Sequence, residues 1–146
     1  MIKKLDHASI STSDINRSLA FYRDVLGLKV EFEDETSGKD FGSVMGASDD
    51  FRALVIKFEE GLELIQFISP AGARLDIKPW DIGAVILDFE VSGLEELYSD
   101  LKEKGVEFVS PLTSLKAPNA GDDPLKIVQL HGPDGERIVL IESKRR

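Results

Sequence analysis

"HASISTSDINRSLAFYRDVLGLKVEF", residues 7–32, changes its apolar period half-way, and a later stretch of the chain repeats the change. At its start the residues alternate. His7, Ser9 and Ser11 share one face with Leu5 before them, and Ala8, Ile10 and Thr12 share the other with Asp6, which predicts a strand. From Ile15 the spacing becomes helical, with Leu19, Tyr22 and Leu26 following at three or four residues. Ser13 is placed to cap this helix and Gly27 to stop it. Further along, "ILDFEVSGLEELYSDLKEKGVEF", residues 86–108, reads the same way: a strand, a capping box of Ser92 with Glu95, a helix, and a stop at Gly105. Laid over one another with one residue of slack in the helix, the two stretches pair His7 with Ile86 and Gly27 with Gly105. Downstream, "GLELIQF" (61–67) falls on "RIVLIES" (137–143), so Glu63 pairs with Val139. The chain is an internal duplication of a strand–helix–three-strand unit.

The remaining segments complete the two units. "LKVEFEDE" (28–35) predicts a second strand, residues 34–50 a polar, turn-rich loop, and "FRALVIKFEEG" with "LELIQFIS" a hairpin. Residues 69–81 hold Pro70, Gly72 and Pro79 without a sustained period and form the joint. In the second half "VEFVS" (106–110) predicts a strand, residues 111–124 a loop, and the chain closes as a hairpin around "GPDG" (132–135). The organisation expected is α+β: a first βαβββ module over 1–70, a linker over 71–81, and a second βαβββ module over 82–146.

Composition narrows the classes of function. The chain has 146 residues, 42% of them apolar and 31% charged, as in a globular domain with a real core. No apolar run reaches the roughly 18–20 residues of a membrane span, and "MIKKLDH" lacks the apolar stretch of a signal peptide, so a cytoplasmic protein without a membrane partner is expected. A net charge of −9 argues against a nucleic-acid partner. The basic "SKRR" at the end reads as a solvated terminus. With no cysteine there is no disulfide, thiolate metal site or cysteine nucleophile. Only His7 and His131 supply imidazoles, so any metal or acid–base site must lean on carboxylates.

Glu63 is the anomaly of the first half, a carboxylate in the apolar "LELIQF". Burying a charge is costly without a metal, a cation or a hydrogen bond to compensate it. Alternation puts Glu63, Ile65 and Phe67 on one face and Leu62, Leu64 and Gln66 on the other. His7, read alone, is either a hydrogen-bonded core histidine or a ligand or acid–base group. Asp88 in "AVILDFEV" is either a solvated side chain or a second buried acid, and His131, ending the strand before "GPDG", is read first as a residue of the turn and not as a catalyst. Trp80, Phe32, Phe41, Phe51 and Phe67 either fill the core or line an apolar cavity.

"LDHASISTSDINRSLAFYRDVLGLKV", "GVEFVS" and "GPDGERIVLIES" together resemble the vicinal oxygen chelate superfamily, which includes glyoxalase I, methylmalonyl-CoA epimerase, extradiol dioxygenases and bleomycin resistance proteins. The resemblance covers residues 4–143. It implies paired modules forming a cupped eight-stranded mixed sheet around a cavity, with the helices outside, and a homodimer. It also implies a divalent metal (Zn, Ni, Co, Mn or Fe) held by one residue from each of four strands. His7 and Glu63 match the first two of those positions, whereas the other two are Ile86 and Val139, which have no lone pair to donate. Asp88 and His131 are the candidate substitutes.

The resemblance implies two functions. One is a glyoxalase- or epimerase-like lyase or isomerase acting on a small carbonyl compound, with His7 and Glu63 as the surviving metal or acid–base site. The other is a metal-free protein that binds a small molecule, as resistance proteins of the superfamily do, with Ile86, Val139 and Ile65 as apolar walls.

Overall fold

The structure, a computed structural model, describes residues 1–116 and 123–143, so part of the loop over 111–124 and most of "SKRR" lie outside the described residues. The chain divides into two units, Met1–Leu75 and Asp76–Arg146, and the boundary falls within the expected linker.

The first unit is a four-stranded mixed sheet in the order β1-β4-β3-β2. Its strands are β1 (Ala8–Ser11), β2 (Val30–Ser37), β3 (Arg52–Phe58) and β4 (Leu62–Ser69). β1 runs parallel to β4, and the two hairpin pairs are antiparallel. Helix α1 (Ile15–Leu19) continues as a π-helical stretch over Ala20–Val25. Leu62 and Leu64 are 3% and 0% exposed, and Gln66 on the same face accepts the Ile15 amide N–H at 2.9 Å, so this face carries the helix. Tyr22 and Phe58, also fully buried, meet with ring centroids 6.1 Å apart. The alternate residues, Glu63, Ile65 and Phe67, therefore belong to the face opposite α1.

In the second unit the order is β5-β8-β7-β6, from β5 (Ile86–Glu90), β6 (Thr113–Leu115), β7 (Leu125–His131) and β8 (Arg137–Glu142). Here too the first strand runs parallel to the last, and the rest are antiparallel. Ile138, Leu140, Leu130 and Val128 face the helix α3 (Leu94–Glu103) with Leu94 and Leu101, all at 2% exposure or less. The registers bear out the duplication residue by residue. Ala8 pairs with Leu62 and Ser9 with Glu63 in the first sheet, and Leu87 with Ile138 and Asp88 with Val139 in the second.

Several local expectations are corrected. The α1 cap is Asp14, whose side chain accepts from the Asn16 and Arg17 amides, and not Ser13. At α3 the capping box is absent: Gly93 opens the helix at φ +69, and its N–H donates to Glu142 of β8 at 2.6 Å. A left-handed entry favours glycine over Ser92, and the acceptor comes from a strand instead of the helix. Residues 34–50 are less loop-like than expected, since β2 runs to Ser37 and a short helix α2 spans Lys39–Met45. "VEFVS" contributes only one bridge, Phe108 with Leu130, and the edge strand forms at Thr113–Leu115. Of the aromatic residues named above, Phe51 is buried, whereas Trp80 is 80% exposed and Phe41 about half exposed.

Candidate functional site

His7 precedes β1 directly, and Ser9 lies two residues on, so both belong to the face that β4 shares through Glu63. The Ser9–Glu63 register brings the hydroxyl to the carboxylate, and Ser9 Oγ donates to Glu63 Oε1 at 2.8 Å. His7 Nε2 stands 3.5 Å from the same Oε1. On its other side His7 Nδ1 donates to Asp6 Oδ2 at 2.6 Å. Lys57, whose Cα pairs with that of Glu63 across β3 and β4, reaches Asp6 and Glu31 at 3.4 Å each. Glu63 is 9% exposed, the only buried carboxylate among the described residues.

This arrangement fixes roles. With Nδ1–H engaged by Asp6, the ring nitrogen left toward Glu63 is Nε2. A neutral Nε2 and an ionised carboxylate both offer lone pairs, and at 3.5 Å they are attractive only with a proton or cation shared between them. Ser9 removes part of the cost of burying Glu63 by donating to it. The His7 N–H, and after it Lys57, holds the Asp6 carboxyl below its ordinary 3.8, so Asp6 is ionised and orients the imidazole near neutral pH.

A metal needs more than this pair. Structural and catalytic zinc sites and non-haem iron sites use at least three protein ligands. Among the described residues no group of three or more His, Asp or Glu side chains is arranged to hold a metal ion. The residues present do not fit the four-ligand site that the resemblance implies.

Each expected position in the second unit has a definite place. Ile86 opens β5, and Val139 lies in β8 at 6% exposure with Asp88 as its register partner. Asp88 is exposed, as Glu90 is. His131 ends β7, the strand before "GPDG", and its Nε2 accepts from Arg137 Nη1 at 3.0 Å. The structure thus brings His7 and Glu63 together within one module. Asp6, Ser9 and Lys57 were missed as site residues. Ser9 was legible, because alternation had put it on the His7 face, and Lys57 is the one charge in "ALVIKF".

The family model for the glyoxalase/bleomycin resistance protein/dioxygenase superfamily matches residues 4–140. The chain belongs to this superfamily. Among solved structures, a glyoxalase family protein from Bacillus cereus is 21% identical with a TM-score of 0.78, over 98% of this chain and 95% of that one. A glyoxalase family protein from Enterococcus faecalis is 26% identical with a TM-score of 0.63, over 96% and 98%. The trypanothione-dependent glyoxalase I of Leishmania major is 19% identical with a TM-score of 0.62, over 98% and 88%. No curated protein sequence matches the chain. Superfamily membership accounts for the tandem βαβββ architecture, and no helix of the described residues is long and apolar enough to cross a membrane.

Proposed function

We propose that this superfamily member is a glyoxalase- or epimerase-like enzyme that moves a proton on the carbon beside a carbonyl of a small molecule. Glu63 is the base and His7 its acid partner. In the forward step the Glu63 carboxylate takes the proton, the C–H electron pair moves into the carbonyl, and the protonated His7 Nε2 gives its proton to the enolate oxygen. Returning a proton to carbon and one to His7 completes an isomerisation. What carries the reading is the placement of His7 Nε2 3.5 Å from a buried Glu63, each held by an outer partner, Asp6 and Ser9. Supported groups with few alternatives to their geometry are what general acid–base catalysis requires. Membership of a superfamily that includes glyoxalases supports the reaction class.

We draw the route without a metal, since among the described residues no group of three or more His, Asp or Glu side chains is arranged to hold one. A panel of 2-oxoaldehyde–thiol adducts and acyl-thioester epimers, assayed with the full chain, tests it. Glu63→Gln is expected to lower kcat by about 10²–10⁴-fold, the usual worth of a general base. Turnover that survives this change removes Glu63 as base. Stoichiometric Zn, Ni, Co, Mn or Fe that is lost in His7→Ala and Glu63→Gln would replace the acid–base reading by a metal site.

A second reading, a metal-free binding or resistance protein, is favoured by one observation: Ile86 and Val139 put hydrocarbon where the superfamily resemblance expects ligands. Saturable binding of a small molecule without turnover, unchanged in Glu63→Gln, would establish it.

A further inference from the structure

The second module has a polar feature that neither the resemblance nor the proposed reaction uses. In the first module the hairpin turns after Phe58, and β4 begins at Leu62. In the second, β7 and β8 run one register step further before they turn, so that His131 pairs with Arg137. Since Glu63 corresponds to Val139, Arg137 corresponds to Gly61, a turn glycine in the first module. The added step sets a cation and an imidazole side by side, two residues from Val139 and on the same face, opposite α3.

Arg137 is half-buried, and its bonding is incomplete. Its Nη1 donates to His131 Nε2 at 3.0 Å, which leaves His131 Nδ1 as the hydrogen-bearing nitrogen. Its Nε is buried without a hydrogen-bond partner. Among the described residues no carboxylate forms an ion pair with Arg137, and the acid that feels its charge, Asp76, is already engaged, accepting from Lys78 Nζ at 2.6 Å. The strand neighbour on the β5 side is Ile86, which offers nothing polar. With Nη1 occupied, Nε and Nη2 are the donors left; Nε is covered in this structure, so an oxyanion that takes this edge with two oxygens must displace the atoms lying over it. An unsatisfied charged donor inside a fold calls for a partner from outside it.

We infer that Arg137, positioned by His131, is an oxyanion-binding group on the second module, taking a carboxylate or phosphate through its Nε–Nη2 edge. The inference stands on the second module alone and does not depend on the reaction proposed for Glu63 and His7. Two separate titrations of the full chain test it, one with acetate and one with inorganic phosphate, each at constant ionic strength with chloride as the reference. The Arg137 Nε–H and His131 ring signals are followed by NMR. The expected result is a saturable shift of both, weakened at least about tenfold in Arg137→Met, which corresponds to about 1.4 kcal/mol. A smaller loss is expected in Arg137→Lys, which keeps the charge and loses the fork, and no change in His7→Ala. Saturation by acetate alone assigns a carboxylate, and tighter saturation by phosphate assigns a phosphate. Should Arg137→Met fail to fold, His131→Gln serves, with weaker anion binding expected because the guanidinium loses its neighbour. Shifts that do not saturate, that chloride reproduces, or that persist in the folded variants overturn the inference.

Discussion

Glu63 and Ser9 show how a buried carboxylate is made tolerable. The hydroxyl donates to the carboxylate at 2.8 Å, and the parallel register that places it there pairs the two Cα atoms directly. Removing a donor from a buried charged acceptor leaves that acceptor short of a bond, at a cost of about 1–3 kcal/mol. Ser9→Ala is therefore expected to lower stability measurably in the native background and much less in Glu63→Ala, with a coupling of about 1 kcal/mol from a denaturant double-mutant cycle. A coupling near zero would show that Ser9 does not support Glu63. At this scale the sequence was partly readable. The charge at Glu63 stood out among Leu62, Leu64 and Ile65, and alternation assigned it to the right face. The 3.5 Å approach of His7 was not readable, because it depends on a parallel pairing that joins Ser9 to a residue 54 positions away in the chain.

The helices carry the clearest difference between the two modules. The overlay of residues 7–32 on 86–108 needed one residue of slack, and the structure places it in the π-helical stretch Ala20–Val25, where the Leu26 N–H reaches back five residues to the Phe21 carbonyl at 3.0 Å. Such a stretch absorbs one inserted residue without rotating the residues after it. Deleting exposed Asp24 should therefore give a regular helix and a folded protein with nearly native far-UV circular dichroism. The corresponding deletion of Asp100 in α3 turns Leu101 by about 100° away from the sheet. Leu101 is fully buried, so this deletion should cost about 2–5 kcal/mol in chemical denaturation. Equal effects of the two deletions would refute the insertion account. α3 also depends on β8. The Gly93 N–H, and behind it Lys126, holds the Glu142 carboxyl below its ordinary 4.5. A lowered value in the folded state stabilises above the unfolded value and is lost as pH falls through the folded one. The melting-temperature deficit of Glu142→Ala should be full at pH 7 and shrink toward pH 3; a deficit independent of pH would assign the effect to packing.

At the scale of the chain, two units of the same topology succeed one another, each a four-stranded mixed sheet with its helix on one face. The homodimer that the paired-module resemblance implies is tested by sedimentation equilibrium over a range of protein concentrations, with a mass of two chains expected and a single-chain mass throughout excluding it. The sequence by itself determined the α+β duplication and the correspondence of Glu63 with Val139, because apolar periodicity and turn residues act locally and repeat visibly. It also identified His7 and Glu63 as the odd polar pair of the first half. Only the tertiary structure decided that His7 is held by Asp6 and Glu63 by Ser9, that Gly93 takes its cap from Glu142, and that His131 meets Arg137. Apart from the contact of Asp6 with His7, which joins sequence neighbours, each of these is a contact between side chains or strands whose meeting depends on register and on where a hairpin turns. A shift of one residue in either would send the same side chains to the opposite face of the sheet.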